Sequence, residues 1–297
     1  MARNGKRLVP ATEAQMDATP CAPEGTLVVI GGKEQKEGSR PILELIAKRV
    51  GSGKLVICTL ASEEPKEQWE EYQATFRGLG VQRIEQLDGR QRDELMNRAP
   101  DDLLDEKTVM FFAGGDQMKI TSKFGGTPLC DRLRQIYTSG ATIAGTSSGA
   151  SVMAEVMMAA GEGQSSHEIG DSLRLAPGLG FISGVIIDQH FAERGRMGRL
   201  LGAVGQNPRL LGIGIDEDTA LVFRGHHDAS VIGSGAVYII DGRNVSYTNS
   251  GEDTSDVMSL FGLTVHVLSR GDRFDLTSRQ PLTGSPEAAE AELARTA

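Results

Sequence analysis

Short apolar runs rich in β-branched residues alternate with segments of helical spacing along most of this 297-residue chain. The runs span residues 26–30, 54–60, 108–112, 141–144 and 184–187, and the helical segments lie around 39–50, 64–79, 126–138 and 149–160. This alternation predicts an α/β fold, in which a mostly parallel sheet carries helices on both faces. Ligands of such sheets collect beyond the carboxyl ends of the strands, so the residues that follow each run are the candidates for function.

The C-terminal third has denser strand signals, at 219–223, 236–240 and 263–268, which predict antiparallel strands added at the sheet edge. Since no internal repeat or linker interrupts the pattern, we expect a single domain over 25–280. Residues 1–24 are polar and proline-containing, and residues 281–297 are rich in alanine and glutamate without an apolar stripe. Both ends are therefore expected to be tails outside the core.

Composition narrows the class of protein. The chain is 39% hydrophobic and 24% charged, as globular proteins are, and its formal net charge of −9 argues against a nucleic-acid partner. Its three cysteines are far apart and form no metal-ligand cluster, so we expect a reduced, cytoplasmic protein with no metal and no cofactor. The first residues lack the apolar run of a secretory signal, and no later run reaches about 18 residues, so neither export nor a membrane span is expected.

The segment GTSSG at 145–149 stands between an apolar run and a helical segment. In this setting G-x-S-x-G indicates a nucleophile elbow, a sharp turn that exposes a serine at the start of a helix. Centring the motif on Ser147 puts glycine at both flanking positions, whereas centring it on Ser148 puts Thr146 and Ala150 there. The sequence therefore predicts Ser147 as the nucleophile and the Ser148 N–H as an oxyanion donor. The alternative is a plain turn or a phosphate cradle.

A second source of oxyanion N–H groups is the pair Gly114-Gly115, which follows the run 108–112 in the segment FFAGGDQ. A tight turn without a catalytic role is the alternative for this pair. Both readings place the glycines at the carboxyl end of a predicted strand.

A serine hydroxyl needs a base to take its proton, and the chain has five histidines: His167, His190, His226, His227 and His266. Only their positions relative to the predicted strands distinguish these histidines as candidates for the base. His190 follows the apolar run 184–187, at a strand end where the crevice is expected. His226 and His227 belong to the segment RGHHD, which is typical of an exposed turn. His190 is therefore the predicted base.

The acid that orients this base is expected in the run LLGIGIDEDTALVF, which carries Asp216, Glu217 and Asp218. Alternation along a strand puts Asp216 and Asp218 on one face and Glu217 on the other, so the three cannot share one role. The spacing leaves the choice among them open. The order serine, histidine, acid disfavours an α/β-hydrolase, in which the acid precedes the histidine.

Three arginines follow His190 in the segment DQHFAERGRMGRL at 188–200: Arg194, Arg196 and Arg199. Positions 196 and 199 would share one face of a helix, where they offer a grip for a carboxylate. A solvated basic turn is the alternative.

These motifs, with a Gly-Gly pair near residue 31 and GIGIDEDTA, resemble in their order the dipeptidase E-like serine peptidases, and within them the cyanophycinases, over about residues 25–220. The resemblance implies a fold similar to class I glutamine amidotransferases, with serine where those enzymes have cysteine. It implies Ser147 as nucleophile, His190 as base and Glu217 as orienting acid. It also implies substrate contacts from Gln117, Asp188, Gln189, Arg194, Arg196 and Arg199. The elbow of the family more often has alanine where Ser148 stands, which puts the close packing of this residue in question.

The resemblance further implies a substrate and an assembly. Cyanophycin has a poly-aspartate backbone with arginine on each β-carboxyl group, so each repeat carries a guanidinium group and a free carboxylate. Its hydrolysis to β-Asp-Arg dipeptides and a homodimeric enzyme are the implied activity and state. Two alternatives stay open: a peptidase for N-terminal aspartyl dipeptides, and a non-catalytic binding module on the same scaffold. A glutamine amidotransferase is disfavoured because its elbow has a cysteine.

Overall fold

The structure is a computed structural model that describes residues 25–89, 91–160, 173–225, 228–249 and 258–285. The expected tail 1–24, residues 286–297 of the other tail, and three histidines (His167, His226 and His227) lie outside the described residues. In chain order the helices are α1 (Pro41–Val50), α2 (Pro65–Gly78), α3 (Arg92–Asn97), α4 (Pro100–Leu103), α5 (Gln117–Phe124), α6 (Pro128–Thr138), α7 (Ser148–Ser151) and α8 (Met197–Gln206). The strands are β1 (Thr26–Ile30), β2 (Lys54–Cys58), β3 (Ile84–Leu87), β4 (Thr108–Phe112), β5 (Thr142–Thr146), β6 (Val156–Ala160), β7 (Arg174–Pro177), β8 (Val185–Gln189), β9 (Leu211–Ile215), β10 (Thr219–Arg224), β11 (Asp228–Gly233), β12 (Val237–Asp241), β13 (Tyr247–Thr248), β14 (Leu260–Phe261), β15 (Thr264–Leu268), β16 (Arg273–Asp275) and β17 (Gln280–Leu282).

The larger sheet has the strand order β17-β16-β11-β10-β1-β5-β4-β2-β3. Strands β1 to β5 pair in parallel, and β10, β11, β16 and β17 extend the sheet with antiparallel pairs beyond β1. The predicted α/β class, a mostly parallel sheet with antiparallel additions near the C-terminus, is confirmed. The last strand ends at Leu282, so the sheet continues two residues past the expected domain end at 280, and the division into one domain and two tails stays a prediction.

The parallel strands are buried on both faces, which explains why they are read in the sequence as continuous apolar runs. In β1, Val28 and Ile30 belong to the apolar cluster that contains the buried faces of α1 and α2. Leu27 and Val29 point the other way, into the cluster formed with α5, α6 and the second sheet. Within the described ranges, no helix is both long and apolar enough to cross a membrane.

A second sheet has the order β15-β12-β9-β8, with β8 and β9 parallel and the other pairs antiparallel. The sequence pattern assigned residues 184–187 to the main parallel sheet and 236–240 and 263–268 to its edge, and this assignment was wrong. Alternation identifies a strand but not its neighbours, which are selected by long-range packing. Here Gly214 lets the Phe191 ring lie directly on β9, since a Cβ would meet that ring at 2.6 Å.

The prediction of a helix over 149–160 was also wrong, because α7 has only four residues and β6 follows it. The residues after the elbow form hydrogen bonds with the segment 178–182 in place of those that would continue the helix. The N–H groups of Leu179 and Phe181 donate to Val152 O and Met153 O at 2.6 and 2.8 Å. Methionine and alanine favour a helix, but these partners lie elsewhere in the chain and outweigh the local preference.

Candidate active site

The elbow forms as the motif predicts, between the end of β5 and the start of α7. Ser147 has φ +54° and ψ −119°, a strained conformation for a residue with a side chain and one that occurs mostly at functional sites. Both flanking glycines are required by contact. A Cβ at Gly145 would meet Gly149 O at 2.3 Å, and a Cβ at Gly149 would meet Phe112 O at 2.1 Å. The glycine register that selected Ser147 over Ser148 therefore has a steric basis.

Three consecutive carbonyl groups at the end of β1, at residues 30–32, each accept a hydrogen bond from a different segment. The donors are the N–H groups of Ser147 (3.0 Å), His190 (2.7 Å) and Asp218 (2.8 Å). Segments that are far apart in the sequence are thereby held side by side at one edge of the sheet. This short stretch, which we call the β1 anchor, sets the spacing of the site.

Gly32 of the β1 anchor touches the imidazole of His190 directly. It has φ +109°, and a Cβ there would lie 2.3 Å from Cε1 and 2.6 Å from Nε2 of His190. Glycine is required on both counts, since the backbone conformation disfavours other residues and the ring occupies the space.

A continuous hydrogen-bonded line joins three side chains in the crevice. Ser147 Oγ lies 2.9 Å from His190 Nε2, and His190 Nδ1 lies 2.7 Å from Glu217 Oε1. The carboxylate selects the tautomer, because Nδ1–H donates to it and leaves Nε2 free to accept a proton. His266 is on β15, next to Phe274, and does not take part. Among the described histidines, only His190 contacts Ser147.

The surroundings of the site lower the pKa of both His190 and Glu217. Burial lowers the pKa of His190, and Arg194 and Arg196 lower it further, whereas Glu217 counteracts them by hydrogen bond and charge. Desolvation raises the pKa of Glu217, but hydrogen bonds from His190 and Lys33 outweigh it and hold that pKa below its ordinary value. At neutral pH the imidazole is therefore neutral and the carboxylate charged, as a base and its orienting acid must be.

The three neighbouring acids have different hydrogen-bond partners. They lie in the turn between β9 and β10 and not within one strand, which corrects the reading of that run. The buried Asp216 accepts hydrogen bonds from the N–H groups of Ala192 and Ala236 at 3.0 and 3.1 Å. Asp218 accepts from a backbone N–H of the β1–α1 loop and from a serine hydroxyl. Only Glu217 reaches the imidazole.

The predicted oxyanion donors lie on two sides of the nucleophile. Ser148 begins α7, and a Cβ at Gly114 would lie 3.4 Å from Ser147 Cβ. Gly115 packs instead against Ala61, whose carbonyl oxygen a Cβ would meet at 2.2 Å. The hydroxyl of Ser148 is buried, and no hydrogen-bond partner for it is present among the described residues. With serine instead of alanine at this position, the protein buries a hydroxyl group that has no hydrogen-bond partner among the described residues.

The arginine segment is organised around one buried carboxylate. Asp188 is only 1% exposed; its Oδ2 accepts from Arg199 Nε at 2.7 Å and its Oδ1 lies 3.3 Å from Arg196 Nη1. Arg196 also donates to the side chain of Gln189, which is buried as well. Arg194, in contrast, is exposed. Asp188 and Gln189 are buried in this arrangement and hold Arg196 and Arg199 in place, and their direct contact with substrate stays a prediction.

Gln117, another predicted substrate contact, is half-buried at the start of α5. Its side-chain amide donates to Met158 O at 2.8 Å, so it ties α5 to β6 beside the elbow.

Two residues of the site were missed in the sequence. Lys33 Nζ lies 3.0 Å from Glu217 Oε1. The buried Glu34 accepts hydrogen bonds from Tyr72 and from Thr146, the residue before the nucleophile, both at 2.6 Å. Both follow β1 at its carboxyl end, so the rule that selected His190 would have found them had it been applied to the segment GGKE.

Comparisons with known proteins show the family of the chain. The profile of peptidase family S51 matches residues 27–231. The cyanophycinase of Geminocystis herdmanii (strain PCC 6308) is 38% identical over 267 residues, which cover 88% of this chain and 97% of that protein. The cyanophycinase of Nostoc sp. (strain PCC 7120) is 38% identical over 268 residues, covering 89% and 90%. The crystal structure of a peptidase from an acI-B1 Actinobacterium is 24% identical with a TM-score of 0.59, covering 86% and 98%, a likeness that shows the fold alone.

Proposed function

The chain belongs to peptidase family S51, and on that premise we propose that it is a serine peptidase that hydrolyses cyanophycin to β-Asp-Arg dipeptides. The observation that carries the proposal is the hydrogen-bonded line from Ser147 through His190 to Glu217, in a chain 38% identical to cyanophycinases over most of its length. The order serine, base, acid along the chain differs from that of the α/β-hydrolases, in which the acid precedes the base.

In the proposed reaction, His190 Nε2 takes the proton of Ser147 Oγ as that oxygen attacks a backbone carbonyl carbon of the substrate. The N–H groups of Ser148 and of Gly114 or Gly115 donate to the oxyanion that forms. His190 then gives the proton to the leaving amine, which departs and leaves an acyl-enzyme. A water molecule hydrolyses this ester by the same steps in reverse order. Glu217 stabilises the imidazolium throughout.

We propose a shared role for the arginine segment in binding the carboxylates of the polymer. Arg194 is exposed beside the base and is free to contact substrate directly. Arg196 and Arg199 are both held by the carboxylate of Asp188, which fixes the directions of their guanidinium groups beside the base. Asp188 and Gln189 then act by positioning these arginines. Gln117 acts by holding α5 against β6 next to the elbow.

Asp188→Asn is expected to lower the free energy of unfolding by about 3 kcal/mol, because Arg196 and Arg199 lose the carboxylate that compensates their buried charges. Urea denaturation followed by circular dichroism measures this. Asp228→Asn is the matched control: it removes the partner of Arg273 in a half-exposed pair, and we expect less than about 1 kcal/mol. Equal losses in both variants would contradict the central role of Asp188.

The pH dependence of kcat/KM should follow the ionisation of His190 in the free enzyme. Because burial lowers its pKa, the neutral form persists on acidification below the ordinary value of about 6.5, and activity should fall only under that pH. Arg194→Ala should move the midpoint to higher pH, and Glu217→Gln to lower pH, since Arg194 lowers and Glu217 raises this pKa. Midpoints that move in the same direction in both variants would contradict the assignment.

The substrate is tested by incubating the purified protein with insoluble cyanophycin and, separately, with Asp-X dipeptides. Release of β-Asp-Arg, identified by mass spectrometry, is the expected result. Hydrolysis of the dipeptides alone would establish the alternative peptidase activity. Inertness towards both, with no labelling by a serine-reactive phosphonate, would support a binding module.

We also propose that the protein is cytoplasmic and forms a homodimer. Size-exclusion chromatography with light scattering tests the second, with about twice the 31.7 kDa chain mass as the expected result.

A further inference from the structure

A cavity of about 790 Å³ lies over the carboxyl ends of β2 and β3, two strands away from the nucleophile. We call it the flanking cavity, and its wall includes Thr59, Leu60, Ser62 and Gln86. Its volume is within the range of about 300–1,000 Å³ that is usual for small-molecule sites. Like the proposed active site, this cavity therefore lies at the carboxyl ends of strands of the main sheet, where ligands of such sheets bind.

The flanking cavity adjoins the oxyanion side of the active site through a short series of backbone contacts. Gly114 lies against Ser147, and the next residue, Gly115, packs on the carbonyl group of Ala61. The N–H of Asp116 donates to that same carbonyl group at 3.0 Å. Ala61 directly precedes Ser62 on the cavity wall, so the wall is linked to the nucleophile through three residues in contact, Ala61, Gly115 and Gly114.

The charges on the wall are balanced. Three carboxylates and three ammonium groups line the cavity, namely Glu63, Asp88, Glu94, Lys66, Lys119 and Lys123. Lys119 and Glu63 form an ion pair at 3.6 Å in which Glu63 is 89% exposed, and such a pair contributes little and exchanges readily for a ligand. A wall of this kind suits a ligand that carries both charges in each unit, and it suits neither a polyanion nor a polycation.

We infer that the flanking cavity binds the Asp-Arg repeat next to the one being cleaved, with Lys66 and Lys119 on its free carboxylate and Glu63 and Asp88 on its guanidinium group. The inference rests on the proposed function, since it takes cyanophycin as the substrate. It adds a site that makes longer chains better substrates than the shortest cleavable oligomer. Lys119 belongs to α5, the helix that begins at Gln117, which links the cavity to the elbow.

The test compares kcat/KM for β-Asp-Arg oligomers of two and four repeats. In the double variant Lys66→Glu, Lys119→Glu, the ratio of the four-repeat to the two-repeat value is expected to fall about tenfold, through KM, because two attractive charges become repulsive. The matched control is Lys48→Glu, Lys107→Glu. It makes the same change in net charge at exposed lysines near the amino ends of β2 and β4, and its ratio should equal that of the unchanged protein.

An equal ratio in the cavity variant and the control would overturn the inference, as would the absence of any preference for four repeats in the unchanged protein. Both outcomes leave the proposed function intact, because the protein still cleaves the oligomers. Failure of the unchanged protein to cleave either oligomer would overturn the proposed function and this inference together.

Discussion

Replacement of Ser147 by alanine is expected to lower kcat for cyanophycin by about four to six orders of magnitude, because the acyl-enzyme can no longer form. The fold should persist, since alanine removes one oxygen atom from a half-buried side chain and leaves the turn unchanged. The measurement is single-turnover release of β-Asp-Arg, with circular dichroism as the check on folding.

Ser148→Ala is the control that the chain itself offers. Its hydroxyl is buried and has no partner among the described residues, so its removal should leave activity within about twofold and raise the free energy of unfolding by up to about 1 kcal/mol. The predicted oxyanion N–H at this position belongs to the backbone and is retained. An inactive Ser148→Ala protein beside an active Ser147→Ala protein would reverse the assignment of the nucleophile.

Gly32→Ala is expected to lower kcat/KM by more than about a hundredfold. The new methyl group would lie 2.3 Å from the imidazole of His190, so the ring must leave its place between Ser147 and Glu217. A displacement of about 1 Å is enough to produce a loss of this size. Steady-state kinetics with a four-repeat oligomer measures it, and thermal denaturation shows whether the protein is still folded.

Gly38→Ala separates the steric effect from the backbone effect. Gly38 also has a positive φ, +65°, but a Cβ there would meet nothing within 4 Å. This variant therefore carries only the backbone strain, of about 1 kcal/mol, and should keep normal activity. Equal activity losses in both variants would show that loop strain, and not contact with the imidazole, explains the effect of Gly32→Ala.

Local patterns predicted much of this protein because their causes are local. The parallel strands appear as apolar runs since each is buried on both faces, and the turn at Ser147 appears in the glycines that its own contacts require. The position of His190 also followed from a local rule, that functional residues lie past strand ends. These features involve residues close together in the chain.

Other features depend on neighbours that the chain order does not reveal. The helix predicted over 149–160 is shortened by hydrogen bonds to the segment 178–182, and β8 and β9 pair in a second sheet. The arginine pair, expected to be open to substrate, is bound to the carboxylate of Asp188. In each case a contact with a residue distant in the sequence outweighs the local conformational preference, and such contacts form only in the folded protein.

The sequence by itself determined the class of fold and predicted the nucleophile and the base, because these follow from periodicity, from steric limits within one turn and from strand ends. The tertiary structure decided which of three adjacent acids meets the base. The sequence predicted the separation of Glu217 from Asp216 and Asp218 by strand alternation, but the three acids lie in the turn between β9 and β10, which joins two different sheets. The β1 anchor at residues 30–32 then brings this turn, the elbow and the His190 loop together, through hydrogen bonds between segments more than a hundred residues apart.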